Sequence, residues 1–319
     1  MRKYKKRIYV WTSDRSNFTG EGNLSRKFIS KLKKNYKINF IKNLNLKKSS
    51  FLHKYIEPFF GIFQIWIKYF SNKKVCYLNY LPMWNFIIFL ILPPKTILGP
   101  VTGGSKKNEN FFFNNFVRSF FFPVFYFITN LIFSIRYEKL IFSTSLLKKK
   151  LFKNSLNKCL FDFVYLFFKI KKKVKKQNYV VIYYKKHATK NYDFLNKVIK
   201  NEYFLKRNYK FICVGEKLKN RNIINKGYLT EKKLYKLLSK ARYVFGSREN
   251  YFSLFSIDAI NHKTQLLYDR VDYKKIRFFK SMFLDLKKVK RNKKLTISPK
   301  DLLYLKKINR VYDAYFESL

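Results

Sequence analysis

The chain has 319 residues, with 70 Lys and Arg against 18 Asp and Glu, a formal net charge of +52. At 47% hydrophobic and 20% aromatic it has ample material for packed cores, which excludes a disordered chain, a collagen-like sequence and a bare basic tail. Cys76, Cys159 and Cys213 lie far apart with no CxxC pair, which excludes a disulfide framework and a zinc ribbon and suits a reducing compartment.

The basic start, residues 1–7, has the charge of a signal peptide's n-region. The apolar run behind it, 8–11, is only one strand long and meets Thr12-Ser13-Asp14-Arg15, so no h-region is expected. Residues 4–11 predict a buried strand, 12–22 a loop of small and polar residues, and 23–35 a helix. Short apolar runs at 38–41, 75–80, 96–98 and 140–142 read as further strands, separated by segments long enough for helices. Three longer apolar stretches cover 59–70, 84–94 and 119–135. Only the last approaches the roughly 18–20 residues of a spanning helix, and it carries Pro123, Thr129 and Asn130. With Arg118 and Arg136 at its ends, it reads as a buried or membrane-facing amphipathic helix, a transmembrane anchor over Ser119 to Ile135 being the less favoured alternative.

Residues 169–176 are dominated by lysine and read as a linker. A second series follows: a strand at 179–184, a helix at 191–206, a strand at 209–214 ending at Gly215, and a strand-like run at 222–228. A helix at 230–241 has Thr230 as its expected cap, and strands at 243–245 and 265–268 flank a short helix at 252–261. Residues 298–316 have helical apolar spacing and form a terminal helix that packs back on the body. Alternating strands and helices predict a parallel α/β sheet in each half. The expected organisation is an N-terminal domain, 1–168, a linker, 169–177, a C-terminal domain, 178–297, and the returning helix, 298–319.

In such folds ligands bind at the carboxyl ends of strands, where loops and helix N-termini present backbone amides. Lys185 and Lys190 follow the 179–184 strand, where two ammonium groups can converge on a diphosphate; two surface lysines in a Lys-rich chain are the plainer alternative. After the 243–245 strand, Glu249 and Asp258 bracket a loop and helix start in a chain poor in carboxylates. Asp258 is expected to reach outward to a sugar hydroxyl, although both acids could simply offset nearby lysines.

Residues 210–269 resemble the donor-binding domain of the retaining, nucleotide-sugar-dependent glycosyltransferases of group 1. The resemblance rests on Phe211-Ile212-Cys213-Val214-Gly215, Lys226-Gly227-Tyr228-Leu229 and the helical run Leu234 to Ala241. It continues through Ser247-Arg248-Glu249, Phe252-Ser253-Leu254 and Ile257-Asp258-Ala259, in the family's order. It implies a GT-B fold: two Rossmann-like domains facing across a cleft, with the C-terminal helix crossing back to the first domain. It also implies that Lys185 and Lys190 hold the donor diphosphate, that Glu249 bonds the donor sugar and that Asp258 bonds the ribose. Gly215, Ser247, Phe252, Ser253 and Leu254 would line the donor site. The sequence departs from the pattern in having Lys185 for Arg, Ser253 for Gly, and Asp258 for Glu with eight rather than seven residues after Glu249.

In the N-terminal half, Gly20 and Gly22 stand where the family often has a glycine loop near the donor phosphates. Thr102, Gly103 and Gly104 form a second loop on the acceptor side; tight turns without a ligand are the alternative for both. His53, His187 and His262 are isolated, so no metal ligands are assigned and no cofactor is required beyond a UDP- or GDP-sugar donor.

The expected function is sugar transfer to a saccharide or lipid-linked acceptor with retention, in envelope polysaccharide or lipopolysaccharide assembly. The expected location is cytoplasmic, at the inner face of the cytoplasmic membrane, with peripheral contact to anionic lipid. The alternative is a basic, non-catalytic protein binding nucleic acid or a membrane surface, including an inactive glycosyltransferase-like member. Nucleic acid is disfavoured because lysines are spread along the chain as in an A/T-rich genome, and no RRM, KH or helix-turn-helix pattern occurs.

Overall fold

The computed structural model describes residues 6–17, 19–44, 51–103, 112–172, 174–185, 193–245, 250–274, 276, 278–289 and 297–319. The chain divides into two compact units, Met1–Phe163 with Arg310–Leu319, and Val164–Asn309.

In the first unit β1 (Lys6–Trp11), α1 (Gly20–Leu32), β2 (Tyr36–Phe40), α2 (Phe51–Phe70) and β3 (Val75–Tyr77) come first. They are followed by β4 (Leu81–Pro82), α3 (Phe86–Ile91), β5 (Ile97–Leu98), β6 (Val101–Thr102), α4 (Phe112–Arg136), β7 (Leu140–Ile141), α5 (Lys153–Leu156) and β8 (Cys159–Leu160). The main sheet has the order β2-β1-β3-β5, all parallel. Beyond it β4 pairs with β6 and β7 with β8, again in parallel, and Val101 bridges Phe142. The run expected as one strand over 75–80 is thus interrupted at Tyr77, and its neighbour is interrupted at Gly99-Pro100, where proline has no N–H to give the ladder.

The core of this unit lies between the sheet and α2, α3 and α4. Trp11 and Tyr77 stack at 5.0 Å, and Ile62, Ile65, Phe89, Phe133 and Phe142 close around them. Thr129 and Asn130, the polar residues of α4, are buried. The Thr129 hydroxyl donates to the Met83 carbonyl at 2.8 Å, and the Asn130 amide donates to the Tyr126 and Lys150 carbonyls, each at 2.8 Å. Their polarity is satisfied by the fold, which ties α4 to the body of the unit.

The second unit contains β9 (Gln177–Tyr184), α6 (Asp193–Ile199), α7 (Glu202–Leu205), β10 (Lys210–Gly215), β11 (Ile223–Asn225) and α8 (Glu231–Lys240). It continues with β12 (Ala241–Phe245), α9 (Leu254–Asn261), β13 (Gln265–Tyr268), β14 (Phe283–Asp285) and the first part of α10 (Pro299–Ser318), whose residues from Arg310 on belong to the first unit. Its sheet runs β11-β10-β9-β12-β13-β14, all parallel. Counted within the unit this is the order 3-2-1-4-5-6, the doubly wound arrangement of dinucleotide-binding sheets. Both units are therefore Rossmann-like α/β folds.

Two local expectations are corrected. The helix over 191–206 is two helices, because Asn201 restarts the chain by accepting the Tyr203 N–H at 3.0 Å. Thr230 precedes α8 but makes no side-chain cap bond. The lysine-rich stretch is anchored at its two ends: Asn261 takes the Lys169 N–H on its side chain at 2.6 Å and the Lys171 N–H on its carbonyl at 2.7 Å, while Lys176 Nζ donates to Thr264 at 2.8 Å.

The last helix contributes to both units. In the second, Asp301 accepts the Phe279 N–H at 3.1 Å. In the first, Asp313 pairs with Lys31 at 2.8 Å and Lys34 at 3.0 Å, and Phe316 meets Phe28 edge-on at 5.0 Å.

Candidate functional site

A crevice opens in a doubly wound sheet where the strand order reverses, because the loops leaving the two central strands turn to opposite faces. In the second unit those strands are β9 and β12, paired through Tyr243 with Val180 and Val244 with Val181. Lys185 directly follows β9 and is exposed. Lys190 follows it in the sequence, and Ser247 and Glu249 follow β12 in the sequence. These three residues are outside the described residues, but the strands that precede them are adjacent.

Gly215 ends β10 beside this edge. Its φ is +102°, and a Cβ there would lie 2.2 Å from the Tyr184 carbonyl oxygen. The glycine is required by backbone conformation and by the close passage of the residue that precedes Lys185.

Helix α9 starts two residues later than expected and sets the fate of four predicted donor residues. Ser253 is its N-cap, its hydroxyl accepting the Ser256 N–H at 3.2 Å. Phe252 is buried, edge-on to Tyr165 at 5.1 Å and to Phe283 at 5.5 Å, so its side chain is core rather than ligand surface. Leu254 opens the helix, half-buried. Asp258 is half-buried on α9, with Tyr235 of α8 beside its carboxyl. Burial pushes its pKa from 3.8 up to about 7, with the Tyr235 hydrogen bond opposing and Glu231 adding to the rise. The motif shows an acid at this position but cannot show which neighbour it faces, since Tyr235 comes from a different helix.

The first unit has its own reversal, between β1 and β3. The loop after β1 is organised by Asp14, which takes the Ser16 N–H at 2.8 Å and the Thr19 hydroxyl. Thr19 in turn caps α1 by accepting the Gly22 N–H at 2.9 Å. Gly20 and Gly22 therefore sit in the first turn of α1 rather than in a loop before it. A Cβ on Gly22 would come within 2.3 Å of the Ser16 carbonyl oxygen, so this glycine serves the packing of the preceding loop. Ser13 donates to Asn79 at 2.6 Å, linking the loops that follow β1 and β3.

Thr102 ends β6, Gly103 packs against the Leu147 side chain, and Gly104 lies outside the described residues. Tyr80 joins these pieces and was not singled out from the sequence. Burial raises its phenol pKa and the Glu21 charge adds to this, while the Thr102 hydroxyl and Arg118 oppose it. A tyrosine in an aromatic-rich chain gives no sequence signal, and only the sheet brings α1, β4 and β6 to one edge. Among the described residues no three His, Cys, Asp or Glu side chains gather in range of one metal ion.

No family model matches the chain, and no curated protein matches it. Solved structures do. A mutant of the T4 phage BGT in complex with UDP-glucose is 12% identical, with 98% of this chain and 97% of that chain covered and a TM-score of 0.47. The S. aureus MnaA–UDP structure is 11% identical, with 83% and 79% covered and a TM-score of 0.41. TarM is 18% identical with a TM-score of 0.40 over 78% of this chain; the match spans 50% of TarM. At these identities and scores, what those proteins bind stays with them, and the Rossmann-like description rests on the chain's own strand order.

Proposed function

We propose that the chain transfers a glycosyl group from a UDP- or GDP-sugar to a saccharide or lipid-linked acceptor. One observation carries this reading. β9 and β12, the strands that precede Lys185 and Lys190 and Ser247 and Glu249 in the sequence, are adjacent central strands at the order reversal of a 3-2-1-4-5-6 sheet. Cations following one such strand suit a diphosphate, whose charge grows as the bond from the sugar's anomeric carbon to phosphate oxygen breaks. Lys185 and Lys190 would stabilise that leaving group by preorganised electrostatics, and Glu249 would accept from the donor sugar hydroxyls. Retention, a role for Asp258 at the ribose, and a place in envelope polysaccharide or lipopolysaccharide assembly follow from the group 1 resemblance.

The test is calorimetric titration with UDP, GDP and their sugars, followed by turnover with saccharide acceptors and NMR of the product's anomeric configuration. Lys185→Ala is expected to weaken nucleotide-diphosphate binding by about tenfold or more, the range for a lost charged hydrogen bond of roughly 1.5–3 kcal/mol. Unchanged affinity in Lys185→Ala and Lys190→Ala, or no nucleotide binding at all, would sink the reading.

A further inference from the structure

The outer layer of the first unit breaks the pattern of the rest of the chain. Lysine is abundant wherever this protein meets solvent, with Lys and Arg making up 70 of 319 residues. Yet every exposed position of α2 whose side chain is described is large and apolar: Ile56, Phe59, Phe63, Ile67 and Phe70. They recur at spacings of three and four and so form one stripe. In α4, Phe120, Val124, Phe127, Leu131 and Ile135 do the same, with Phe120 64% and Ile135 81% exposed. Residues 119–135 carry no charged side chain at all. Ile87 and Leu90 of α3 are exposed too.

These faces belong to one surface. The crossovers from β2 to β3, from β3 to β5 and from β6 to β7 all progress in the same direction across the sheet, so right-handed connections put α2, α3 and α4 on the same side. Trp84 of the segment before α3 stacks on Phe122 of α4 at 5.6 Å, and Phe86 meets Phe125 at 5.5 Å. The inward faces of the same helices already fill the core. Trp66 of α2 donates to the Ile91 carbonyl of α3 at 2.7 Å, and so many exposed apolar side chains on neighbouring helices mark an interaction site rather than a solvated face.

We propose that this aromatic face of α2, α3 and α4 inserts into the interfacial layer of an anionic lipid bilayer and holds the chain on the membrane without spanning it. Charge selects the occupant. A net +52 is drawn to anionic lipid, at about 1 kcal/mol for each basic residue near the surface, whereas a second copy would bring another +52 to the contact. The α2 stripe also ends at a place suited to headgroups. Phe70, 75% exposed, borders a cavity of about 630 Å³ that is also lined by Lys73, Lys74, Lys95 and Lys139, with Glu138 and Leu319, whose backbone oxygen accepts from Lys74, on the same wall. α4 is long and apolar enough to cross a bilayer. Its buried Thr129 and Asn130 are bonded to backbone elsewhere in the unit, so it lies flat against the protein. The inference does not depend on the donor-site reading.

Tryptophan fluorescence reads the insertion directly. Trp66 and Trp84 are half-buried in this helical layer, whereas Trp11 is fully buried in the core. With vesicles of phosphatidylglycerol and phosphatidylcholine brominated on its acyl chains, emission from Trp66 and Trp84 is expected to be quenched while a Trp11 remainder persists. Phosphatidylcholine vesicles alone should give weaker binding. The double variant Phe63→Glu, Phe120→Glu alters two exposed positions and is expected to bind vesicles at least about tenfold more weakly with unchanged far-UV circular dichroism. Lys73→Glu with Lys95→Glu should reduce the preference for phosphatidylglycerol. Binding without quenching that salt abolishes is charge alone and overturns the proposal. So does self-association that the two Glu substitutions remove while no vesicle binding is seen. The quenching of the unaltered chain decides even where a variant fails to fold.

Discussion

Gly215→Ala is expected to destabilise the second unit by about 3 kcal/mol or more, while Gly227→Ala should cost only about 1 kcal/mol. Both glycines have positive φ, +102° and +64°, so both substitutions strain the backbone. Only Gly215 adds a collision: its Cβ would lie 2.2 Å from the Tyr184 carbonyl oxygen, whereas Gly227 has nothing within 4 Å. That carbonyl cannot step aside cheaply. It accepts the Glu216 N–H at 2.9 Å, and Tyr184 is the last residue paired between β9 and β10. Moving it also moves Lys185, so Gly215→Ala should weaken nucleotide-diphosphate binding when Gly227→Ala does not. Urea unfolding of the two variants side by side is the measurement. Equal costs would show that close packing at the end of β10 contributes nothing beyond backbone conformation.

The second large effect concerns Asp258. With a folded pKa near 7 against an ordinary 3.8, this carboxyl keeps its proton in the folded chain at pH values where the unfolded chain has lost it. The folded state then binds more protons, so stability falls as pH rises between about 4 and about 7 and levels off above that. The full difference corresponds to roughly 4 kcal/mol at about 1.4 kcal/mol per tenfold change in protonation. Asp258→Asn retains an acceptor for the Tyr235 hydroxyl and has no charge to bury. It is expected to flatten this slope and to leave the chain about 2–4 kcal/mol more stable at about pH 8. Tyr235→Phe, which removes the hydrogen bond that opposes the rise, should move the falling limb to still higher pH. Unfolding free energies across that pH range check both. A slope that survives in Asp258→Asn would mean that another group carries it.

How far the sequence reached differs from residue to residue. The strands at 179–184, 265–268 and 140–142 were legible because their side chains are buried on both faces, which leaves continuous apolar runs bounded by turn residues. Element edges were less legible. The start of α1 moved to Gly20 because Thr19 caps it, and a glycine pair suggests a loop whether or not a cap precedes it. Phe252 and Ser253 matched a motif, but the same positions are filled by a core aromatic and a helix cap. Asp258 was visible as a scarce acid, whereas its partner Tyr235 stands on another helix.

The sequence by itself determined the class of fold, because alternating strand and helix periods lead to parallel α/β layers as the way to bury them. It also set the chemistry available to any ligand site: abundant ammonium groups and few carboxylates. Only the tertiary structure decided which of these meet. Strand order, a non-local property, sets the ends of β9 and β12 side by side and gathers Tyr80, Glu21 and Thr102 elsewhere. It decided, too, that α2 and α4 each bury one apolar face and expose the other. Hydrophobic periodicity reports how apolar a helix is, whereas which side is covered depends on what the sheet places against it.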